Sequence, residues 1–486
     1  MCGISGVVLS DKTINKHIAK YKTHPLLDIL YKSILEIQHR GYDGVGIATF
    51  LKDDKVNLIK EQGMIKPFFK KLQNTNNSIH SWAGIAHTRY KTVGPCTKSA
   101  SQPLLNSDNT ICLAHNGQLD LESFTEKGRT YNPDSTFIIE YINHRLNSLA
   151  TENKTPERLE EAIFLIICQL FNDIGGSYSC LLLVAGVGLV AFRDPRGIRP
   201  LILGASDNGD YILASESVCL KNIPDFKVVR DIKPGECIIL KQNCEPISRN
   251  LIIKSVPFTP CVFEYIYLSS PESVIDQLSV TTAREELGKT LGKHICKYYS
   301  ELHIDYVIPV PESSCIAANS TATYLQQNFD QNIKYLHILK LNTERQKARS
   351  FILPTQEERE KAVKDKFIIN PDSNLSGKNI LIIDDSIVRG TTLRHIMKSI
   401  RATYPDISSI YVASIAPPIK DKNTFGIDIP NTELLIAYNK KVNEIATNIE
   451  ADLVIYQDLQ EMLEMFDRIS PNANQFEYSM FVNGSN

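Results

Sequence analysis

No surplus of either charge marks this chain: 53 Lys and Arg stand against 55 Asp and Glu in 486 residues, a net charge of −2. That balance gives no support for bulk binding to nucleic acid or to an anionic membrane. Long hydrophobic runs are also missing. The most apolar stretch, SCLLLVAGVGLVAF at 179–192, is too short for a bilayer and is broken by Gly186 and Gly188. It reads as two buried strands joined by a turn. The first residues lack a basic segment followed by an apolar run, so no secretion signal is expected. The eleven cysteines include no CxxC pair, and none lies beyond Cys315. An odd, scattered set reads as reduced thiols in a cytoplasmic protein, not a disulfide framework. Internal repeats and low-complexity tracts are absent.

What is present divides into two grammars. The length exceeds what one core usually holds, so two or three domains are expected. Up to about Leu240, short runs such as GVGIATF, GIAHTRY, TICLAHNG and ECIIL are bounded by Gly, Asp, Asn or Pro. Helical spacing interrupts them in HPLLDILYKSILEI, with Leu26, Leu27, Leu30 and Ile34 on one face, and in PERLEEAIFLIICQLF. This pattern predicts antiparallel sheets covered by helices. From about Cys261 strands and helices alternate regularly, which predicts a doubly wound parallel sheet with its ligand beyond the strands' carboxyl ends. The expected boundaries are 2–240 for the first domain, 241–260 for the crossing, 261–470 for the second domain and 471–486 for a tail.

The most specific stretch is NILIIDDSIVRGTTLRHI, 379–396. An apolar strand ends in Asp384 and Asp385. A loop follows, Ser386, Ile387, Val388, Arg389, Gly390, Thr391 and Thr392, and a helix begins. Backbone N–H groups, hydroxyls and a helix start suit a phosphate, and Gly390 lets the backbone approach it. The two carboxylates would repel that phosphate. They suit sugar hydroxyls and a hydrated magnesium ion instead. A ribose 5-phosphate with a metal-bound leaving group at C1 meets all these demands. The stretch resembles the phosphoribosyl pyrophosphate (PRPP) motif of type I phosphoribosyltransferases.

At the other end stands MCGISG. Removal of Met1 is expected because the next residue is small. Cys2 would then carry a thiol and an α-amine on one carbon. The amine, with a pKa of about 7.7–8.0, can take the proton of a thiol near 8.5 without any histidine. Behind it, in order, come QHRGYDGVGI (38–47), AHTRY (86–90), AHNGQL (114–119) and NPDST (132–136). These resemble the glutamine amidotransferase domain of the N-terminal nucleophile hydrolases, which implies a four-layer αββα antiparallel sandwich. With RDPRGIRPL (193–201), FEYIY (263–267), PVPESS (309–314) and the PRPP motif added, the chain resembles the amidophosphoribosyltransferase family almost end to end.

The resemblance implies roles. Cys2 would attack the glutamine amide, with the Asn116 side chain and the Gly117 N–H receiving the oxyanion. Arg89 would bind the glutamine α-carboxylate and Asp134 the α-ammonium. Ammonia would cross a transient channel, where FEYIYL and Arg40 are candidates for linking the domains, and displace pyrophosphate from PRPP to give 5-phosphoribosylamine. Residues 384–392 with Lys340 and Arg349 would bind PRPP, and Ser313, Asp384 and Asp385 would contact Mg2+. Ser313 is equally readable as a helix N-cap. Purine nucleotide feedback, a homodimer or homotetramer, and independence from nucleic acid and membranes are also implied. With no cysteine after Cys315, no iron–sulfur cluster is expected, and with Cys2 directly behind Met1, no long propeptide. His39, His87 and His115 flank motifs without zinc-site spacing and suggest supporting or core roles. RDPRGIRPL reads as a well-packed hairpin. Two stretches depart from the family: KLNTERQKARSFILP at 340–354 in the loop over PRPP, and SSPES at 269–273. They leave room for a specialised or non-catalytic PRPP-binding paralogue. A glutamine-dependent synthase of another kind would not need the PRPP motif.

Overall fold

The computed structural model describes residues 2–21, 24–74, 81–90, 97–121, 133–149, 155–252, 256–342, 367–370, 374–427, 431–473 and 475–483. Arg349 and most of the 340–354 loop lie outside the described residues.

The first half builds two stacked antiparallel sheets. In the seven-stranded sheet, Gly3–Val8 lies at the centre between Tyr211–Ala214 and Ala83–Arg89. The six-stranded sheet carries Ile111–Asp120 paired with Gly175–Val184 along their whole lengths. Ile4, Val8 and Ile85 of one sheet meet Cys112, Ala114, Leu181 and Leu189 of the other. Helix Leu26–Glu36 buries Leu26, Ile29, Leu30 and Ile34 against the outer face of the first sheet, while Leu27 is only partly buried. Helices Ser135–Leu149 and Pro156–Asp173 cover the second sheet through Ile138, Ile142, Ile163 and Ile167. The result is helix, sheet, sheet, helix. Strands such as GVGIATF and GLVAFR are buried along their entire length because both faces are covered, so they show no polar alternation. Each large aliphatic side chain so buried contributes about 1.5–3 kcal/mol.

In the second half, the parallel sheet runs Lys334–Tyr335, Tyr306–Pro309, Asn379–Asp384, Ser409–Ser414, Leu453–Tyr456. Alternate residues of NILIID serve two cores. Leu381 and Ile383 pack with helices Val280–Tyr298, Cys315–Asn328 and Leu459–Ile469. Ile380 and Ile382 pack with Thr391–Thr403 and Val442–Ile449. Pro309, Asp384, Ser414 and Tyr456 therefore end at one edge of the sheet.

Two stretches do more than their sequence suggested. Inside the expected crossing, Ile247–Asn250 pairs with Glu236–Leu240 as an edge strand. In the expected tail, Phe476, Met480 and Phe481 enter the core of the second domain, and the Glu477 N–H bonds the Pro260 carbonyl at 2.9 Å. Among the described residues no helix is long and apolar enough to cross a membrane.

Candidate active sites

The register Gly3↔Thr88 places Cys2 beside the end of the Ala83–Arg89 strand, where its Sγ donates to the Tyr90 carbonyl at 3.8 Å. Burial pushes the thiol up, while the Arg89 charge draws it down and Asp134 raises it further. Arg89 and Asp134 are thus both close enough to act on Cys2. A thiol made less acidic by burial needs a base, and its own α-amine, once Met1 is removed, is the nearest chemical candidate.

The second sheet delivers the oxyanion candidates. Asn116 is fully buried, and neither atom of its amide has a hydrogen-bond partner in the protein. An orphaned amide is costly to keep unless a ligand completes it. Gly117 follows at φ +143°, and a Cβ there would lie 1.9 Å from the Ser177 carbonyl oxygen, so only glycine fits. Asp134 accepts from the N–H groups of Leu119 at 2.9 Å and Ser135 at 2.8 Å, directly before helix Ser135–Leu149.

Two of the flanking histidines, His87 and His115, are buried in this half. His115 Nδ1 meets Ser135 Oγ at 2.9 Å, and its main-chain N–H bonds the Gln102 side chain at 2.8 Å. Burial, then the Arg89 and His115 charges, pushes His87 down to about 3. Its folded form stays neutral while the unfolded ring takes a proton near the ordinary 6.5. The unfolded state therefore binds more protons between those values, and stability falls as the pH drops below about 6.5. Thermal unfolding from pH 7.5 to 5.0 is expected to show a falling Tm whose slope is shallower in His87→Leu.

At the second centre, Asp384 ends its strand and Asp385 follows, both buried. The Asp385 N–H donates to Asp384 Oδ1 at 2.9 Å, and Ser386 Oγ donates to Asp385 Oδ1 at 2.6 Å. Ser313 Oγ donates to Asp385 Oδ2. Ser314, not Ser313, occupies the N-cap position of helix Cys315–Asn328, so the capping role open to Ser313 is not the one it takes. Gly390 caps helix Thr391–Thr403 at φ +72°, where a Cβ would lie 2.3 Å from Ile436 Cδ1. Ile387 packs into the core, which leaves only its backbone for a ligand, whereas Arg389 is exposed. Lys340 is exposed on the ribbon Leu339–Leu341 with Phe367–Ile369.

Tyr267 stands between the two centres. Its ring is half exposed, yet Asp385, Tyr90, Tyr42 and Asp384 all follow burial among the causes that raise its phenol. Tyr42, from QHRGYDG, in turn feels Glu312 of PVPESS after burial. Groups of both domains thus lie near one half-exposed ring.

The comparisons agree with this geometry. The family model for class-II glutamine amidotransferases matches residues 34–203. The amidophosphoribosyltransferase of Escherichia coli (strain K12) is 35% identical over 99% of this chain and 92% of its own length. That of Saccharomyces cerevisiae is 36% identical over 96% and 88%. The chain belongs to the amidophosphoribosyltransferase family. Among solved structures, the glutamine PRPP amidotransferase from B. subtilis complexed with ADP and GMP matches with a TM-score of 0.77. It is 28% identical, over 98% of this chain and 95% of that one.

Within that family frame, Arg40 and Glu264 of FEYIYL, named from the sequence as candidates for linking the domains, meet in an ion pair, and Arg199, Arg193 and Asp276, not named for that role, join the domains with them. Arg40 Nη2 donates to Glu264 Oε2 at 2.5 Å and its Nε to Glu216, while Arg199 Nη1 donates to Glu264 Oε1 at 3.0 Å. Arg193 finds an acceptor for each of its five N–H donors. These are the carbonyls of Arg199 (2.7 Å), Ile232 (2.8 Å) and Gly197 (2.7 Å) and both oxygens of Asp276 (2.7 and 2.9 Å). RDPRGIRPL, read from the sequence as a hairpin, instead crosses from strand Gly188–Arg193 of the six-stranded sheet to Ile202–Ser206 of the seven-stranded one, and its arginines fasten the two domains. Its alternation of arginines with Pro and Gly was the available signal, but the carboxylates they meet lie 65–83 residues further along.

Proposed function

We propose that this chain is a glutamine-dependent phosphoribosyltransferase that converts PRPP, glutamine and water into 5-phosphoribosylamine, glutamate and pyrophosphate, the first step of purine synthesis. The observation that carries the reading is that one chain holds both a thiol bonded to the Tyr90 carbonyl and an acidic strand end at Asp385, with Tyr90 and Asp385 both near Tyr267.

Cys2 attacks the glutamine side-chain carbonyl after its proton passes to the α-amine, forming a thioester as ammonia leaves; water then releases glutamate. The oxyanion is met by the Asn116 amide and the Gly117 N–H. The orphaned state of that amide supports this role, since a buried donor aimed at developing charge needs no reorganisation. Arg89 can grip the α-carboxylate through its planar fork. Asp134 holds the α-ammonium.

In the other centre, residues 386–392 hold the 5-phosphate through backbone N–H groups, with Lys340 and Arg349 as further contacts to PRPP. Asp384, Asp385 and Ser313 would hold a magnesium ion. Two carboxylates and a hydroxyl match that ion, and among the described residues no three or more His, Cys, Asp or Glu side chains gather into a closed cage. When bound, the metal polarises the departing pyrophosphate. The protein's part is to orient the sugar with its C1 facing the first centre. Ammonia must cross unprotonated, because ammonium has no lone pair to offer, and the nearness of Tyr42, Tyr90 and Tyr267 to groups of both domains supports a passage there.

The same proposal includes purine nucleotide feedback, supported by the ADP and GMP named with the B. subtilis relative, together with a homodimeric or homotetrameric, cytoplasmic enzyme. The unpaired state of every described cysteine supports a reducing compartment.

Purified protein with PRPP, Mg2+ and glutamine should release glutamate and pyrophosphate in equal amounts. Replacing Asn116 by Ala should lower the glutamine-supported rate by about 10²–10³-fold. Synthesis from ammonium salt should be unaffected. An Asn116→Ala enzyme with a normal glutamine rate would remove the oxyanion assignment.

A further inference from the structure

Residues Glu264–Leu268 form one turn of π-helix, closed by the Ser269 N–H on the Glu264 carbonyl at 3.0 Å. Such turns are uncommon and recur at functional sites. This one carries Tyr267, whose half-exposed ring is not locked in a core. The position of the ring therefore depends on its backbone.

That backbone is held from two sides. From the first domain, Arg40 and Arg199 grip the Glu264 carboxylate, which also accepts from Ser269 Oγ at 2.6 Å. From the second domain comes Arg284, on helix Val280–Tyr298 and 3% exposed. Its Nε donates to the Tyr265 carbonyl at 2.9 Å and its Nη2 to the Ser269 carbonyl at 2.8 Å. The two acceptors lie two residues before and two after Tyr267. One rigid planar group thus spans the turn, a geometry that lysine cannot reproduce.

We propose that Arg284 is a positioning residue for ammonia transfer: by spanning the Tyr265 and Ser269 carbonyls it holds Tyr267 in the wall of the passage. The inference rests on the passage described above. Arg284 gives its hydrogen bonds to the Tyr265 and Ser269 carbonyls, away from both reacting centres. Its charge does reach Asp385, which gives a rival role at the metal and PRPP pocket, and the test separates the two.

The full-length protein is assayed with PRPP, Mg2+ and glutamine, measuring glutamate and pyrophosphate in the same reaction, for wild type, Arg284→Gln, Tyr267→Ala and the double variant. Arg284→Gln is expected to lower the ratio of pyrophosphate to glutamate about threefold or more, since small misplacements at a transfer path are costly. Its PRPP KM and its synthesis from ammonium salt should stay within about twofold of wild type, because the transferase pocket keeps its own residues. Tyr267→Ala should leak similarly, and the double variant no more than either, as expected of two residues acting as a unit. If Arg284→Gln folds poorly, Arg284→Lys, able to keep one of the two carbonyl bonds, serves in its place. A leaking Tyr267→Ala beside a tight Arg284→Gln would overturn the role of Arg284 and leave the passage standing. Normal ratios in both would overturn the passage itself. A raised PRPP KM in Arg284→Gln with an intact ratio would assign the residue to the metal and PRPP pocket and overturn the proposal.

Discussion

Cys2→Ala is expected to lose glutamine-supported synthesis by about three orders of magnitude or more while still making phosphoribosylamine from an ammonium salt. Sulfur is needed only to break the amide bond. The substitution removes Sγ from a site that already lacks full exposure and adds no bulk, so the sheet around Gly3–Val8 should stand. The proposed PRPP site is the other centre, whose residues Asp384, Asp385 and Ser313 are untouched. Ammonium salt then supplies free ammonia directly. The comparison is read from two initial rates on one preparation. A Cys2→Ala enzyme that still used glutamine normally would remove the nucleophile, and with it the reason for Asn116 and Gly117.

The paired substitution Asp384→Ala with Asp385→Ala should instead abolish synthesis from both nitrogen sources, by about three orders of magnitude, or ~4 kcal/mol of transition-state stabilisation. Both carboxylates are nearly buried, and their neighbours are placed around them: Ser313 and Ser386 donate to Asp385, and the Asp385 N–H to Asp384. Removing them takes away the negative charge that a divalent ion would require. Isothermal titration with a PRPP analogue and Mg2+ should show weakened, metal-insensitive binding. Glutamine hydrolysis at the remote thiol is the internal control. Activity from ammonia retained at the wild-type rate would sever the link between this strand end and the sugar.

The two centres were legible in the sequence to different degrees. The strand NILIID followed by DDSIVRGTT carried its own context, since an apolar run, two acids, a glycine and a helix start are contiguous. Cys2, Asn116 and Asp134 were legible only as members of an ordered set of motifs, because Cys2 precedes a strand of one sheet, Asn116 lies in the other and Asp134 precedes a helix, so no local pattern links them. Arg193, Arg199, Glu264, Asp276 and Arg284 were not legible as a group. A buried arginine looks the same in sequence as a solvated one until its acceptors are known. The segment after 470 looked like a tail for a related reason: Phe476, Met480 and Phe481 show no regular period, and only the core they enter explains them.

Local chemistry along the chain determined which groups can react: a thiol that can gain a neighbouring amine, a carboxylate pair at a strand end, and glycines where no Cβ can fit. Tertiary structure alone decided that groups of both domains gather near Tyr267 and that buried arginines join those domains. Covalent identity and short-range backbone preference are written residue by residue, whereas the desolvated ion pairs that fix one domain against another exist only once distant segments have met.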